Sequence, residues 1–242
     1  MNLNSNPNKV MKNFLVCFLI ALSQMGFAQK KYHLDYALEF EIKINTHKIK
    51  NQKIKKDSTR FYIVNAKENN FILFINEDGG KNYNLFFSDK EGLFVNSSVD
   101  KNLFSKAETI NNECESVRRS SNPYKFQVDN YEFINLSDTL VNNTSYYHYT
   151  IKTNRGLKYQ KRKKIVSIHY IVDKNSPDFS PFFIEPTCYE EWKKERNIPN
   201  GKPFIIYHEN YKGEITFKMQ LENAVKIDRY FTVPDECDYT KI

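Results

Sequence analysis

Apolar and polar residues alternate without a break along "YHLDYALEFEIKI". Tyr32, Leu34, Tyr36, Leu38, Phe40, Ile42 and Ile44 hold the even positions, and polar residues hold the odd ones apart from Ala37. A period of two is that of a strand with one face buried, so the segment predicts a long first strand. Further strand patterns follow at 58–66, 69–77, 82–89, 92–99, 124–136, 145–153, 164–173, 203–210 and 214–233. The last is either two strands or one bent one. The linkers "EDGGK" and "SDKEG" are polar and Gly-bearing, as tight hairpins require. About ten strands with short links predict an antiparallel meander in a β-rich α+β fold.

Helical signals are few. Thr187 and Glu190 have the spacing of a capping box, and "CYEEWKKER" ending at "NIPNG" predicts a short helix over Thr187–Arg196. The stretch 100–122 is ambiguous: "DKNLFSKAET" could start a second helix, and "ECESVRRSSNP" reads as loop, so one or two short helices are expected. A first strand this long must coil and bend. Long coiling strands with one apolar face predict a curved half-barrel or open barrel whose concave side holds a helix or an apolar guest. Seven buried side chains on that strand represent roughly 10–20 kcal/mol, too much to leave in water. The predicted helix offers Tyr189 and Trp192, thin cover for so long a face. The expectation is therefore an apolar cavity with Tyr36, Leu38, Phe40 and Ile42 among its walls.

The start of the chain sets the compartment. Lys12 precedes the apolar run "FLVCFLIAL", and small residues stand at Gly26 and Ala28. These are the parts of a secretory signal over 1–28, with cleavage after Ala28 and a single β domain over 29–242. Val16 before Cys17, and the apolar run continuing past it, argue against a lipoprotein signal. Of the formal charge of +7, Lys9 and Lys12 leave with the signal, giving +5. That mild excess is no nucleic-acid footprint. Three cysteines remain, Cys114, Cys188 and Cys237. An exported compartment permits a disulfide, and an odd count leaves one thiol over or all three free. Cys188–Cys237 is the expected pair, because both lie beside the C-terminal segments.

Taken together, a signal ending in "FAQ", a Tyr-rich first strand, "DSTRFYIVN" at 57–65, successive hairpins and the tail "FTVPDECDY" resemble secreted proteins of Gram-negative envelopes. The whole-chain pattern is similar to the lipoprotein-carrier (Lol-type) half-barrel superfamily. The resemblance implies a curved antiparallel sheet that cradles acyl chains or a covering helix. It carries over no functional residue.

Catalytic chemistry finds little support. No Ser sits in a Gly-x-Ser-x-Gly setting, and Gly is too scarce, with 7 in all, for phosphate-cradling loops. His148 and His169 fall on adjacent predicted strands and could approach each other, though a histidine on a strand is more often a satisfied or exposed side chain. The histidines and cysteines lack metal-ligand spacing, and no cofactor is implied. The clearest charge feature is double. Lys48, Lys50, Lys53, Lys55 and Lys56 lie between the first two strands, and Arg155, Lys158, Lys161, Arg162, Lys163 and Lys164 between two later ones. In a simple meander both sets reach one rim, where they would draw an anionic envelope surface. The bland reading is two solvated loops that keep a β protein soluble. The expected role is an exported, non-catalytic binding module for an apolar or lipid-like ligand. The alternative is a structural or interaction protein with a self-filled core.

Overall fold

The computed structural model describes residues 29–44, 57–77, 79–122 and 125–241. The signal over 1–28 and the first basic cluster, with Lys53, Lys55 and Lys56, lie outside the described residues.

The chain forms one curved, unclosed sheet of thirteen strands. Strand β1 (Gln29–Ile44) leads through β2 (Asp57–Val64), β3 (Phe71–Glu77), β4 (Asn82–Asp89) and β5 (Leu93–Asp100), each pairing antiparallel with the next. A second meander runs through β10 (Thr144–Thr153), β11 (Val166–Asp173), β12 (Lys202–Asn210) and β13 (Ile215–Pro234). The two meanders join where β1 pairs with β13, from Gln29↔Pro234 to Ile44↔Phe217. Four short strands complete the sheet. β6 (Thr109–Asn111) runs parallel to β13, β7 (Val117–Arg119) pairs with β5, and β8 (Tyr131–Asn135) and β9 (Thr139–Val141) pair with β10. The antiparallel meander predicted from the alternation is thus present, divided more finely than expected. The 214–233 segment is one strand of 20 residues.

Among the described residues three α-helices flank the sheet: α1 (Lys101–Lys106), α2 (Leu157–Lys163) and α3 (Pro186–Glu195). Asp100 caps α1 by accepting from the amides of Asn102 and Leu103. α3 starts two residues earlier than the capping-box reading, with Glu185 rather than Thr187 at the N-cap. Pro186, with its fixed φ, opens it behind Glu185, and no side chain caps that end. It stops at Arg196, which takes a left-handed φ of 48° and returns its amide to Trp192 O at 2.8 Å. α2 was expected to be loop. The segment 124–136 was expected to be one strand, but 125–130 is a 3₁₀ turn that leaves Phe126 89 % exposed, and only 131–135 pairs.

The core divides into two clusters on either side of the β1–β13 ladder. One gathers Leu38, Phe40 and Ile42 with Tyr149, Tyr170 and Phe183. The other gathers Tyr32 and Leu34 with Phe71, Phe87, Phe231 and Val233. Both sets on β1 are even-numbered, so the strand coils between them. The register slips there: β13 uses three residues (Arg229 to Lys226) against two on β1 (Leu34 to Tyr36), a β-bulge that sharpens the local twist.

The disulfide differs from the expected one. It joins Cys114 to Cys237, with Cα atoms 5.7 Å apart, and Cys188 is a buried free thiol. The reason is topological. β6 pairs with the end of β13 (Phe231↔Ile110), which carries Cys114 to the turn holding Cys237. Cys188 sits on α3 in the other cluster, where the Tyr170 hydroxyl donates to its sulfur at 3.2 Å. Burial pushes that thiol well above its ordinary pKa. Peptide mapping of the oxidised protein is expected to link Cys114 to Cys237, with a single thiol titrating only after unfolding. Cys237→Ser should cost about 2–5 kcal/mol by freeing a loop of more than a hundred residues in the unfolded chain. A reactive thiol in the native protein, or a mapped Cys188–Cys237 bridge, would contradict this arrangement.

Candidate functional site

The expected ligand-binding face of β1 is covered by the chain itself. Leu38, Phe40 and Ile42 are 0–1 % exposed. Between β11 and β12 the segment "DFSPFFIEP" crosses the concave side and runs into α3. Phe182 stacks on Phe40 at 5.7 Å and meets Tyr62 edge-on at 5.5 Å, and Phe179 meets Tyr36 edge-on at 5.4 Å. Ser180 anchors this cover by donating its hydroxyl to Lys67 O at 2.7 Å, and the Asn69 amide reaches Pro181 O at 3.1 Å. Gly201 lets the chain return: at φ 154° a Cβ there would lie 2.5 Å from Asp173 O. The expected cavity over Leu38, Phe40 and Ile42 is therefore filled by Phe179, Phe182 and Phe183. The signal that could have revealed the cover was the apolar run at 179–184, which has no strand or helix period and so received no role.

An open apolar pocket lies on the opposite face of β1. Ala37, Phe61, Ile63, Ile75, Tyr83, Phe104 and Ile227 line a cavity of about 330 Å³, with Lys101 and Arg229 among its walls. The β13 bulge contributes Ile227, which falls between the two slipped register pairs. α1 supplies the lid edge: Phe104 packs edge-on against Tyr83 at 5.3 Å. Arg229 holds that helix by donating to Phe104 O at 2.6 Å and Ser105 O at 3.0 Å. Lys101 pairs with Glu77. The chamber is thus apolar, and both cations in its wall have protein partners, Lys101 in Glu77 and Arg229 in two backbone carbonyls.

A polar cluster occupies the outer face of β10–β12. His148 Nε2 and His169 Nδ1 are 3.1 Å apart, Thr139 Oγ1 lies 3.2 Å from His148 Nδ1, and Tyr207 stacks on His169 at 4.4 Å. The Glu209 carboxylate is 3.9 Å from His169 Nε2. Burial pushes His169 down to about 4, with the neighbouring His148 adding to the shift, and burial lowers His148 as well. No cysteine joins them, since Cys114 is bridged and Cys188 faces the core. Lys90, pushed down to about 8 by burial, is walled in with its ammonium on Asn69 O at 2.9 Å. Among the described residues no group of His, Cys, Asp or Glu is arranged to hold a metal ion, and no helix is long and apolar enough to cross a membrane.

The second basic cluster is in view. Lys161, Arg162 and Lys163 lie on α2 and Lys164 ends it in the left-handed region, φ 53°. By register, the end of β1 (Ile44↔Phe217), the β12–β13 turn (His208↔Phe217) and the start of β11 (Val166↔Asn210) reach the same end of the sheet.

No family model matches the chain, and no curated protein matches it. Among solved structures it is similar to MucB of Pseudomonas aeruginosa, in a complex with MucA, at 9 % identity and a TM-score of 0.39, covering 86 % of this chain and 55 % of that one. The chain thus spans about half the length of the MucB chains it matches. Two others are of the Lol type that the sequence resembles. One is an outer-membrane lipoprotein-sorting protein domain from Vibrio parahaemolyticus (10 % identity, TM-score 0.32, covering 79 % and 85 %). The other is a LolA superfamily protein from Nitrosomonas europaea (10 % identity, TM-score 0.27, covering 87 % and 90 %). At these values the likeness is one of broad sheet shape and says nothing of ligand or partner.

The histidine cluster has a readable consequence. Both pKa values are depressed in the folded state, so between about pH 6.5 and 4 the unfolded chain binds more protons. Stability present above pH 6.5 is lost as the pH falls through that window. Urea unfolding of His169→Asn, compared with the parent at pH 7 and pH 4.5, should show a smaller acid loss, by on the order of 1–2 kcal/mol. An unchanged loss would mean that His169 is protonated in the native protein.

Proposed function

We propose that this protein is an exported, non-catalytic binding module whose ligand is apolar or lipid-like and carries one anionic group. The observation that carries the reading is the open pocket of about 330 Å³ behind Ala37, Phe61 and Ile63, with the Lys101 and Arg229 cations beside its apolar walls. Its volume falls in the ~300–1,000 Å³ range of small-molecule sites. Tyr36, Leu38, Phe40 and Ile42 would receive a ligand only if the segment around Phe179–Phe183 lifted from them. Export rests on the secretory signal over 1–28, and the periplasm or the medium is the expected destination.

A second reading is favoured by that same seal. A concave face closed by three of the chain's own phenylalanines is what an interaction protein with a self-filled core would have.

A fluorescent fatty acid titrated into delipidated protein separates the two. Saturable binding is expected, and Ala37→Phe, which fills the pocket, should weaken it by at least about tenfold while the melting temperature holds. Binding unaffected by Ala37→Phe would move the ligand to the face under Phe182. A folded protein that binds no acyl probe leaves the interaction reading standing.

A further inference from the structure

The basic rim carries more than charge. The stretch 155–164 and the turn region 210–216 together hold seven cations against one carboxylate, Glu214, on a chain whose whole formal charge is +7. That carboxylate accepts from the Asn210 side chain at 2.9 Å. The two stretches are neighbours: Lys161, Lys164, Lys212 and Thr216 line one cavity of about 470 Å³ floored by Ile165 and Val166. Solubility alone explains such lysines. It does not explain Leu157, which opens α2 with 68 % of its surface exposed, or Ile215, 45 % exposed at the start of β13. On the helix, positions 157 and 161 are one turn apart on one face, so Leu157 stands on the same side as Lys161, one of the cavity's cations. Isolated exposed apolar residues are ordinary on a protein surface. Two of them beside a dense block with a large excess of cations make the pattern of a surface that enters a bilayer interface, with apolar anchors below and ammonium groups at headgroup level.

We infer that this rim docks on an anionic lipid surface, with Lys161, Arg162, Lys164 and Lys212 meeting headgroups and Leu157 entering the interface. Charge complementarity selects the occupant: a cavity walled by three lysines against one carboxylate, Glu214, with an apolar floor keeps a net positive charge that takes a phosphate headgroup and its first carbons. The rim lies at the end of the sheet away from the disulfide, so docking leaves the closed end of the molecule free.

The test is flotation of the purified exported protein with vesicles. Phosphatidylcholine vesicles containing phosphatidylglycerol should carry the protein up, and pure phosphatidylcholine vesicles should not. Each removed surface cation weakens such binding roughly fivefold, so the Lys161→Ala, Arg162→Ala, Lys164→Ala, Lys212→Ala quadruple variant should lose about two to three orders of magnitude. All four positions are exposed, so the variant retains the fold, which circular dichroism checks. Leu157→Asn should weaken binding by about tenfold without changing its salt dependence. Equal flotation with neutral vesicles overturns the inference, as does a quadruple variant that floats like the parent. Release by millimolar inorganic phosphate at constant ionic strength would assign the rim to a free anion. Preference for a soluble polysulfated glycan over vesicles would assign it to a glycan.

Discussion

The pairing of β1 with β13 is the constraint on which the other elements depend. It joins the first described residues to the last strand, along a ladder from Gln29↔Pro234 to Ile44↔Phe217. Without it the two meanders would be separate sheets, each with a long open edge. The ladder also cannot be straight. Strands of 16 and 20 residues sharing one register must coil, and the slips at Leu34/Tyr36 and Glu39/Phe40 mark where β13 takes up the extra residues. Coiling lets a single alternating face serve two cores. Tyr32 and Leu34 fill one, and Leu38, Phe40 and Ile42 fill the other. The pocket behind Ala37 exists because, past the bulge, the back of the same strand also becomes an inner surface.

This explains how far the sequence could be read. The alternation in 32–44 and the Gly-bearing linkers are local signals, and they gave the long first strand, the hairpins and the antiparallel curved sheet. Which of two cores an even-numbered residue enters depends on a bulge in a strand some two hundred residues away, and no local pattern records it. The cysteine pair was missed for the same reason. Cys188 and Cys237 are close in sequence, yet the β6–β13 pairing brings Cys114 to Cys237 across 123 residues. The cover over Phe40 was missed because 178–185 is held by tertiary contacts such as Ser180 Oγ to Lys67 O rather than by a period. His148 and His169 were legible as a pair because they occupy neighbouring strands of one hairpin. The Tyr207 and Glu209 around them come from the next strand and were not foreseen.

The end of the sheet where the ladder starts is held by charge as well as by the disulfide. Asp89, at the β4–β5 turn, accepts from the Tyr32 hydroxyl at 2.8 Å and from the Lys30 ammonium at 3.2 Å. Lys30 also faces Asp238 at 3.6 Å. Burial works to raise the Asp238 pKa, but the hydrogen bonds from Thr240 and the charges of Lys30 and Lys241 bring it below its ordinary value. Burial, reinforced by Asp89, raises Tyr32 and keeps its hydroxyl protonated to donate. Removing Lys30 would leave the buried Asp89 carboxylate with the Tyr32 hydroxyl and no cation among these partners, so this contact ties the start of β1 to the β4–β5 turn and the tail more by the cost of breaking it than by any gain in making it.

The opposite end obeys another logic. There the 155–164 stretch carries six cations, and apolar side chains at Leu157 and Ile215 are exposed. A chain that spends a disulfide and an ion network on one end and leaves like charges crowded at the other is not uniformly optimised for stability, because crowded cations repel and raise the free energy of the folded state. The Lys164 backbone sharpens the contrast. Its left-handed conformation is one that a glycine would take at less cost, yet a lysine holds it at the lip of the basic cavity. Repulsion of this kind is relieved when an anion arrives, so the rim is a part of the molecule whose energetics a bound anion would improve.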